Sequence, residues 1–253
     1  MITNPKGERL QVALARHGLA SRRGVVELIE SGKVTVNGKV VLEKGFRVQP
    51  GDVLDVEGRT LDVDQSLEKR TFLFNKPKGV MTTMQDPNAE KTVADFFTDV
   101  STRLFPVGRL DRDTTGLLLM TNDGDLAFRL THPKFGVEKH YAVLAQGIVT
   151  PEKVKRLEKG VELEDGKTAP CRVKIEEGHS KKTVLTVVLH EGKKRQIRRI
   201  FEAIGHRVLE LERFQYGPID LGDLRPGHKR ELKPSEIEAL NLATRPPNKR
   251  RRS

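Results

Sequence analysis

The sequence of 253 residues contains one cysteine, Cys171, no tryptophan and only two tyrosines. A single cysteine excludes an intramolecular disulfide and a zinc site built on several cysteines. The seven histidines are scattered without a spacing typical of metal ligands, so we expect no metal site. Because tyrosine is so rare, each of the two is a candidate for a specific role.

Long apolar runs are missing as well. No stretch reaches the roughly 18 residues that a membrane-spanning helix needs, and the first residues, MITNPKGERL, lack the apolar core of a signal peptide. We therefore expect a cytoplasmic protein that does not bind membranes. The chain also lacks a Gly-rich dinucleotide fingerprint and a phosphate-binding loop motif.

Positive charge is present in excess, with 46 lysines and arginines against 35 aspartates and glutamates and a formal net charge of +11. Such a chain attracts polyanions, because cations that neutralise phosphates release condensed counterions. Hydrophobic residues make up 36% of the sequence, enough to form a buried core. Composition therefore favours a folded, nucleic-acid-binding protein over a soluble protein that is merely basic.

Residues 7–64 have the pattern of a small separate domain. Apolar periodicity predicts two helices that end near Gly18 and Gly32. Alternating residues then predict a hairpin around Asn37-Gly38, followed by a further strand. A unit of this size buries little surface and is more plausible as an attached module than as an enzyme.

The pattern changes after a polar stretch at residues 61–70, which we interpret as a linker. In residues 70–240 strands recur with short helices between them, which predicts a larger α+β domain with a mixed, mostly antiparallel sheet. Residues 243–253 form a basic tail, for which we expect disorder and non-specific phosphate binding. The predicted strands of the larger domain cover residues 71–74, 116–121, 139–145, 169–175 and 183–189, and the predicted helices cover residues 93–97, 125–130, 151–160 and 195–204.

The most informative segment is GRLDRDTTGLLLMTNDG, at residues 108–124. Its charged turn leads into an apolar strand, so Asp111 lies at the mouth of a buried strand between Arg109 and Arg112. Neighbouring cations favour a carboxylate that stays ionised when partly desolvated. Two other interpretations are a calcium loop, which needs a glutamate where Asn122 stands, and an ordinary charged turn that caps a strand.

The same segment, read as Gly-Arg-Leu-Asp-x-x-Thr-x-Gly-Leu-Leu-Leu-x-Thr-Asn-Asp-Gly, resembles the signature of the RsuA/RluB-type ribosomal RNA pseudouridine synthases. The match has no gap, and the wider resemblance covers the chain from about residue 71 to residue 234. It implies that Asp111 is the catalytic carboxylate. It also implies that Arg109 helps to displace the target base from its helix.

Three further segments follow the pattern of this family. NKPKG resembles the opening loop of the catalytic domain and adds Lys76 as a substrate-binding residue. EKHY resembles the element whose tyrosine, here Tyr141, packs against the target base. GKKRQIRRI resembles the element that supplies a basic partner for Asp111; we assign that partner to Arg198, with Arg199 as the alternative and as a candidate RNA contact.

The N-terminal unit resembles the alpha-L RNA-binding domain, first recognised in a ribosomal small-subunit protein, through the segments LASRR and GKVTVNGKVV. Arg22 and Arg23 fall at the start of the predicted second helix. Backbone dipoles and side chains can bind phosphate jointly at such a position. We therefore predict RNA contacts for both arginines, and a solvated helix face is the alternative.

The family resemblance implies an enzyme that isomerises a specific uridine of ribosomal RNA, in the large subunit rather than the small one. The reaction breaks the bond between sugar and uracil nitrogen, turns the base and rejoins it through carbon, so it needs no cofactor or metal. The carboxylate can attack the sugar, attack the ring or remove a sugar proton, and the sequence leaves these three routes open. We expect ribosomal RNA or a pre-ribosomal particle as the partner and a monomeric chain.

Two other functions compete with this one. A non-catalytic RNA-binding or ribosome-assembly factor would explain the charge and the N-terminal unit but would leave the Asp111 segment without a role. A metal-dependent RNA hydrolase could use Asp111 and Asp113. It lacks an evident third ligand.

Overall fold

The structure is a computed structural model that describes residues 7–19, 22–63, 68–179 and 181–245, apart from the side chains of Arg22 and His179. The chain divides into two compact units, Met1–Lys69 and Arg70–Ser253. The basic tail predicted at residues 243–253 lies outside the described residues from residue 246 onward.

The first unit packs two short helices against small antiparallel sheets. Leu10, Leu14, Val25 and Ile29 are fully buried in one apolar cluster, which confirms the helices predicted from apolar periodicity. The elements of this unit are α1 (Leu10–Arg16), α2 (Arg22–Glu30), β1 (Glu8–Arg9), β2 (Val34–Val36), β3 (Lys39–Val40), β4 (Arg47–Val48), β5 (Val53–Val56) and β6 (Arg59–Asp62).

A tight turn connects β2 and β3. Its central residues, Asn37 and Gly38, have φ angles of 51° and 76°, and a type I′ hairpin turn requires positive φ at both positions. The predicted hairpin is therefore confirmed. In the described residues the strand order is β3-β2-β5-β6, and β1 pairs separately with β4.

A larger sheet with helices around it forms the second unit. Its described strands are β7 (Thr71–Lys76), β8 (Phe105–Pro106), β9 (Thr115–Thr121), β10 (Lys139–Gln146), β11 (Arg172–His179), β12 (Lys182–Leu189), β13 (Val208–Tyr216), β14 (Ile219–Asp220) and β15 (Lys229–Glu231). Its described α-helices are α3 (Gly124–Thr131), α4 (Pro151–Glu158), α5 (Gln196–Glu202) and α6 (Pro234–Ala243). None of the helices in the described part of the chain is both long and apolar enough to cross a membrane.

The described strands of this unit form one mixed sheet in the order β11-β12-β10-β13-β9-β7-β15, with β14 on β13 and β8 on β9. Strands β9 and β13 run parallel, whereas the other pairings among the described strands are antiparallel. The predicted α+β fold with a mostly antiparallel sheet is confirmed.

Strands β7 and β9 are buried on both faces of the sheet. Phe74 and Leu118 belong to the apolar cluster on one face, while Leu73 and Leu117 belong to the cluster on the other. Successive residues of a strand point to opposite faces, so a strand covered on both sides is apolar throughout. The unbroken LLLM run in β9 therefore reflects its central place in the sheet.

The predicted helix at residues 93–97 differs from the structure in type, and the predicted strand at residues 169–175 differs in where it begins. The helix expected at residues 93–97 is a short 3-10 helix, Val93–Phe96, that begins with a capping box in which the Thr92 N–H donates to the Asp95 carboxylate at 2.7 Å. The strand expected at residues 169–175 begins only at Arg172. The preceding Cys171 N–H donates to the Glu158 carbonyl at 3.3 Å instead of joining the sheet.

Gly116 brings β9 close to β13, where it pairs with Arg213. Its φ is +96°, and a Cβ atom at this position would lie 2.3 Å from the Arg213 carbonyl oxygen and 2.9 Å from its backbone nitrogen. Real Cβ atoms do not approach backbone so closely, so a side chain here forces the two strands apart. The glycine is required by the parallel pairing that follows the Asp111 turn.

We expect Gly116→Ala to destabilise the second unit by roughly 3 kcal/mol, since it combines backbone strain with a clash between two central strands. Urea denaturation followed by tyrosine fluorescence measures this, because both tyrosines, Tyr141 and Tyr216, lie in the second unit. Gly166→Ala is the matched control: φ is +90° there and nothing lies within 4 Å of the added Cβ. Equal losses in the two variants would contradict the clash.

Candidate active site

A cavity of about 310 Å³ opens where the Asp111 turn enters β9. It is formed by three parts of the second unit: the turn itself, the strands β10 and β13, and the segment that connects β12 to α5. The lining residues are Gly108, Arg109, Leu110, Asp111, Thr114, Tyr141, Leu189, Glu191, Gly192, Lys193, Lys194, Arg195, Gln196, Ile197 and Leu211. The fold therefore brings Asp111, Arg109 and Tyr141 together around one cavity.

Asp111 is half-buried, and its turn is fixed by hydrogen bonds to backbone atoms on both sides of it. The Thr82 hydroxyl donates to the Leu110 carbonyl at 2.7 Å, and the Gly79 N–H donates to the Arg112 carbonyl at 2.9 Å. The Thr114 N–H donates to the carbonyl of Asp111 itself at 3.0 Å. None of these bonds uses the carboxylate of Asp111, and Asp111 lines the cavity.

Lys76 lies beneath this turn and is fully buried. Its Nζ donates to the carbonyls of Pro77 and Val80, both at 2.9 Å, and of Arg112 at 3.3 Å. Burial lowers the pKa of Lys76 to about 8, while the carboxylates of Asp113 and Asp111 act to raise it. The expectation that Lys76 binds substrate finds no support in this geometry, because all its donors are used within the protein, where they hold the Asp111 turn.

Tyr141 reaches the cavity from β10 at a break in the sheet. His140 pairs with Gln215 and Tyr141 with Arg213, so Phe214 is an extra residue and the register shifts between the two pairs. Such a β-bulge locally increases the twist and re-aims side chains. Tyr141 is 8% exposed and belongs both to the apolar core and to the cavity wall, so its ring is packed in the core and also borders the cavity.

Arg198 approaches the Asp111 turn from α5. Its Nη1 donates to the Val208 carbonyl and its Nη2 to the Asp113 carbonyl, both at 3.1 Å. Burial and the neighbouring Arg195 lower the pKa of Arg198, whereas the carboxylates of Asp113 and Asp111 act to raise it. Arg198 thus donates a hydrogen bond to the backbone of the turn, and its positive charge interacts with the Asp111 carboxylate electrostatically.

Arg199, the alternative partner, points elsewhere. Its Nη1 donates to an Asp165 carboxylate oxygen at 3.1 Å, and this hydrogen bond raises the pKa of Arg199 and lowers the pKa of Asp165. Consecutive residues of a helix point about 100° apart, which separates the two guanidinium groups. Arg198 is therefore the arginine that faces the Asp111 turn.

The alternatives that involve a metal find no support in this geometry. Residues Thr115–Thr121 form strand β9, so the chain after Asp113 is not a cation-binding loop. Within the described residues no group of three His, Cys, Asp or Glu side chains is placed to hold a metal ion.

Comparison with protein families assigns both units. Residues 70–203 match the model of the RNA pseudouridylate synthases, and residues 8–54 match the S4 domain. The chain belongs to the RNA pseudouridylate synthase family. The resemblances of the Asp111 segment and of the N-terminal unit are confirmed, since the S4 domain is the alpha-L module. The protein is an RNA pseudouridine synthase with an N-terminal S4 domain.

Similar proteins cover nearly the whole synthase. The ribosomal large subunit pseudouridine synthase B of Bacillus subtilis is 45% identical over 92% of this chain and 95% of its own length. An uncharacterized RNA pseudouridine synthase of Aquifex aeolicus is 41% identical over 92% of this chain and 93% of its own length. A crystal structure of a pseudouridylate synthase has a TM-score of 0.67 and 30% identity, covering 92% of this chain and 99% of that one.

The mouth of the synthase cavity is basic. Arg109 is exposed there, and Lys194 and Arg195 are exposed beside it; the contact between Arg109 and RNA remains a prediction. Arg195 has a φ of 51°, a left-handed conformation that is uncommon for residues other than glycine and is found at functional sites. Sequence analysis treated the KKR run at residues 193–195 only as part of the element that contains Arg198. Its density of positive charge was the signal that could have identified it as a candidate RNA contact.

Two buried cations lie behind Tyr141 in the synthase. Arg213 donates from Nε to the Leu117 carbonyl at 2.7 Å, and Lys139 donates to the Val137 carbonyl at 3.2 Å. Both lie over the Tyr216 ring, at 4.9 and 5.3 Å from its centre. Burial and Arg213 lower the pKa of Lys139 to about 8. Sequence reasoning missed these two buried cations, which flank Tyr141 in the sheet: Arg213 on β13 pairs with Tyr141, and Lys139 precedes Tyr141 by two residues on β10.

In the S4 domain, Arg23 is exposed on α2, near Arg9 at the edge of a shallow depression. The Arg22 side chain lies outside the described residues. Both arginines remain predicted RNA contacts.

Proposed function

We propose that this synthase converts a specific uridine of large-subunit ribosomal RNA to pseudouridine and that Asp111 is its catalytic carboxylate. The observation that carries the proposal is the position of Asp111: half-buried, on a turn fixed by backbone hydrogen bonds, in a cavity shared with Tyr141 and Arg109. The names of the Bacillus subtilis and Pseudomonas aeruginosa relatives, both large subunit pseudouridine synthase B, support the substrate.

The cavity residues suit the steps of the isomerisation. The target uridine leaves its stack at a cost of a few kcal/mol, and Arg109 at the cavity mouth fills the space that it vacates. The Tyr141 ring offers a face on which the uracil stacks, which is worth ~1–3 kcal/mol. These two contacts offset the cost of extruding the base.

Asp111 acts at the reacting atoms, and Arg198 positions the turn that carries it. The carboxylate assists cleavage of the bond between sugar carbon 1′ and uracil N1, by attack on the sugar or the ring or by removal of a sugar proton. The detached uracil turns within the cavity, and carbon 5 bonds to the sugar carbon. The hydrogen on carbon 5 leaves as a proton, and N1, which is no longer bonded to the sugar, takes up a proton from water. Each route needs an ionised carboxylate held in place, which the fixed turn supplies.

Loss of the hydrogen at carbon 5 provides the test. Ribosomal RNA labelled with tritium at carbon 5 of uracil is incubated with the synthase, with large- and small-subunit transcripts offered separately. We expect tritium to enter water only with large-subunit RNA, and mapping of the product then locates the uridine. Release from small-subunit RNA would overturn the substrate assignment. RNA binding without release from either transcript or from pre-ribosomal particles would favour an assembly factor.

The S4 domain contributes affinity rather than chemistry. We expect removal of residues 1–64 to weaken RNA binding and to reduce its salt dependence. The slope of log K against log salt concentration should decrease by roughly one for each phosphate contact that is lost. Filter binding at several salt concentrations measures both effects. Tritium release at saturating RNA checks that the active site persists in the second unit. Equal affinity and slope for the full chain and the shortened chain would refute the contribution.

A further inference from the structure

Four side chains form a cluster at the end of α3 and in the 3-10 helix Pro133–Phe135 that follows it, three of them exposed and the fourth, Phe135, half-buried. Phe128 lies 4.9 Å from the His132 ring and 6.2 Å from the Phe135 ring, centre to centre. The Lys134 Nζ lies over both phenylalanine rings, at 5.3 and 4.7 Å from their centres. We call Phe128, His132, Lys134 and Phe135 the aromatic rim.

The aromatic rim borders the cavity that holds Asp111. On one side, a Cβ atom on Gly108, a cavity-lining residue, would lie 3.6 Å from Thr131 at the end of α3. On the other side, the Gly136 carbonyl is 3.0 Å from Nδ1 of His190. The residues before and after His190 both line the cavity. The segment that carries the aromatic rim therefore lies between two parts of the cavity wall.

The chemistry of the aromatic rim suits a nucleic acid base with its phosphate. Phe128 is 48% exposed, so a large part of its apolar ring is in contact with solvent. Lys134 is exposed, and no carboxylate pairs with it among the residues that the structure describes. The Lys134 backbone N–H donates to Nδ1 of His132 at 3.2 Å, which fixes the His132 ring beside Phe128.

We propose that the aromatic rim stacks an unpaired base of the substrate RNA that neighbours the uridine in the cavity. This inference rests on the proposed function and extends it, because it names a second nucleotide that the enzyme recognises. Aromatic faces stack any base, while cations such as Lys134 neutralise the adjoining phosphate. A strand that places its uridine beside Asp111 passes over the cavity border, where the aromatic rim lies.

Stacking requires a flat ring, whereas simple apolar packing does not, and this difference allows a matched pair of variants. Phe128→Leu keeps the apolar volume and removes the ring, and Phe128→Tyr keeps the ring. The probe is a synthetic RNA hairpin that contains the uridine mapped by tritium release, together with versions in which each unpaired neighbour in turn is abasic. KM and kcat are measured for each combination, and thermal midpoints check folding.

We expect Phe128→Leu to raise KM about tenfold with kcat nearly unchanged, and Phe128→Tyr to resemble the wild type. In the wild type, one of the abasic positions should raise KM about tenfold. In Phe128→Leu the same abasic position should leave KM unchanged, because the contact between ring and base has already been lost. If Phe128→Leu has the KM of the wild type, or if the abasic effects add to it fully, the stacking site is refuted. Failure of the wild type to release tritium would instead overturn the proposed function.

Discussion

Substitution of Asp111 by asparagine is expected to lower the rate of uridine isomerisation by roughly 10⁴-fold or more, as for other groups that act in the chemical step. Asparagine has the size of aspartate but neither its charge nor its ability to act as nucleophile or base. The turn should persist, because its hydrogen bonds involve the backbone of Leu110, Asp111 and Arg112 rather than the carboxylate. RNA affinity, measured by filter binding, should therefore stay within about twofold.

Asp113→Asn is the matched control for this substitution. Its carboxylate lies two residues away on the same turn but is exposed and does not line the cavity. Arg198 binds the backbone carbonyl of Asp113, which asparagine retains. Single-turnover tritium release by Asp113→Asn should thus stay within a few-fold of the wild type. Comparable losses in the two variants would show that the charge of the turn, rather than one carboxylate, supports the reaction.

Local sequence patterns predicted the elements in which apolar residues recur with the helical or strand period or in which a turn motif is present. The two N-terminal helices followed from apolar spacing, and the hairpin followed from Asn37 and Gly38, which tolerate positive φ. Strand β9 followed from its apolar run. In each of these cases the residues that determine the conformation are neighbours in sequence, so sequence alone was sufficient.

Strand β13 was not predicted, because it has no apolar run and contains charged residues at Glu210, Glu212 and Arg213. Arg213 is nevertheless only 2% exposed and donates to the Leu117 carbonyl, 96 residues earlier in the chain. The burial of such a side chain depends on a partner that only the folded sheet provides. Local hydrophobicity therefore cannot identify the strand.

The candidate site shows the same division. The Asp111 segment is recognisable from a continuous motif, whereas the buried position of Lys76 depends on carbonyl groups that the fold collects around it. The aromatic rim depends on contacts between α3 and the following 3-10 helix, and only its place beside the cavity suggests a role. Lys76 and Arg213, whose burial depends on carbonyl groups far away in the sequence, are therefore residues that sequence reasoning could not place.

Exchange of Arg198 for alanine should lower kcat by roughly 10²–10³-fold, the usual effect of removing one preorganised electrostatic contact from an active site. Alanine removes the hydrogen bond to the Asp113 carbonyl and the cation whose field reaches Asp111. The turn then loses a hydrogen bond from α5, and the Asp111 carboxylate loses its electrostatic interaction with Arg198. KM should change much less, because Arg198 does not line the cavity.

Arg199→Ala separates this role from the general basicity of α5, since it removes an equal charge from the next residue of the same helix. Arg199 pairs with Asp165, so its loss should leave kcat within a few-fold of the wild type. Partial recovery of Arg198→Ala by added guanidinium ion would show that the missing group acts through its charge and hydrogen bonds. A larger loss of activity in Arg199→Ala than in Arg198→Ala, at equal thermal stability, would show that the assignment of Arg198 as the partner of Asp111 is wrong. In that case the pair of Arg199 and Asp165 would organise the cavity wall through the segment that contains Lys193.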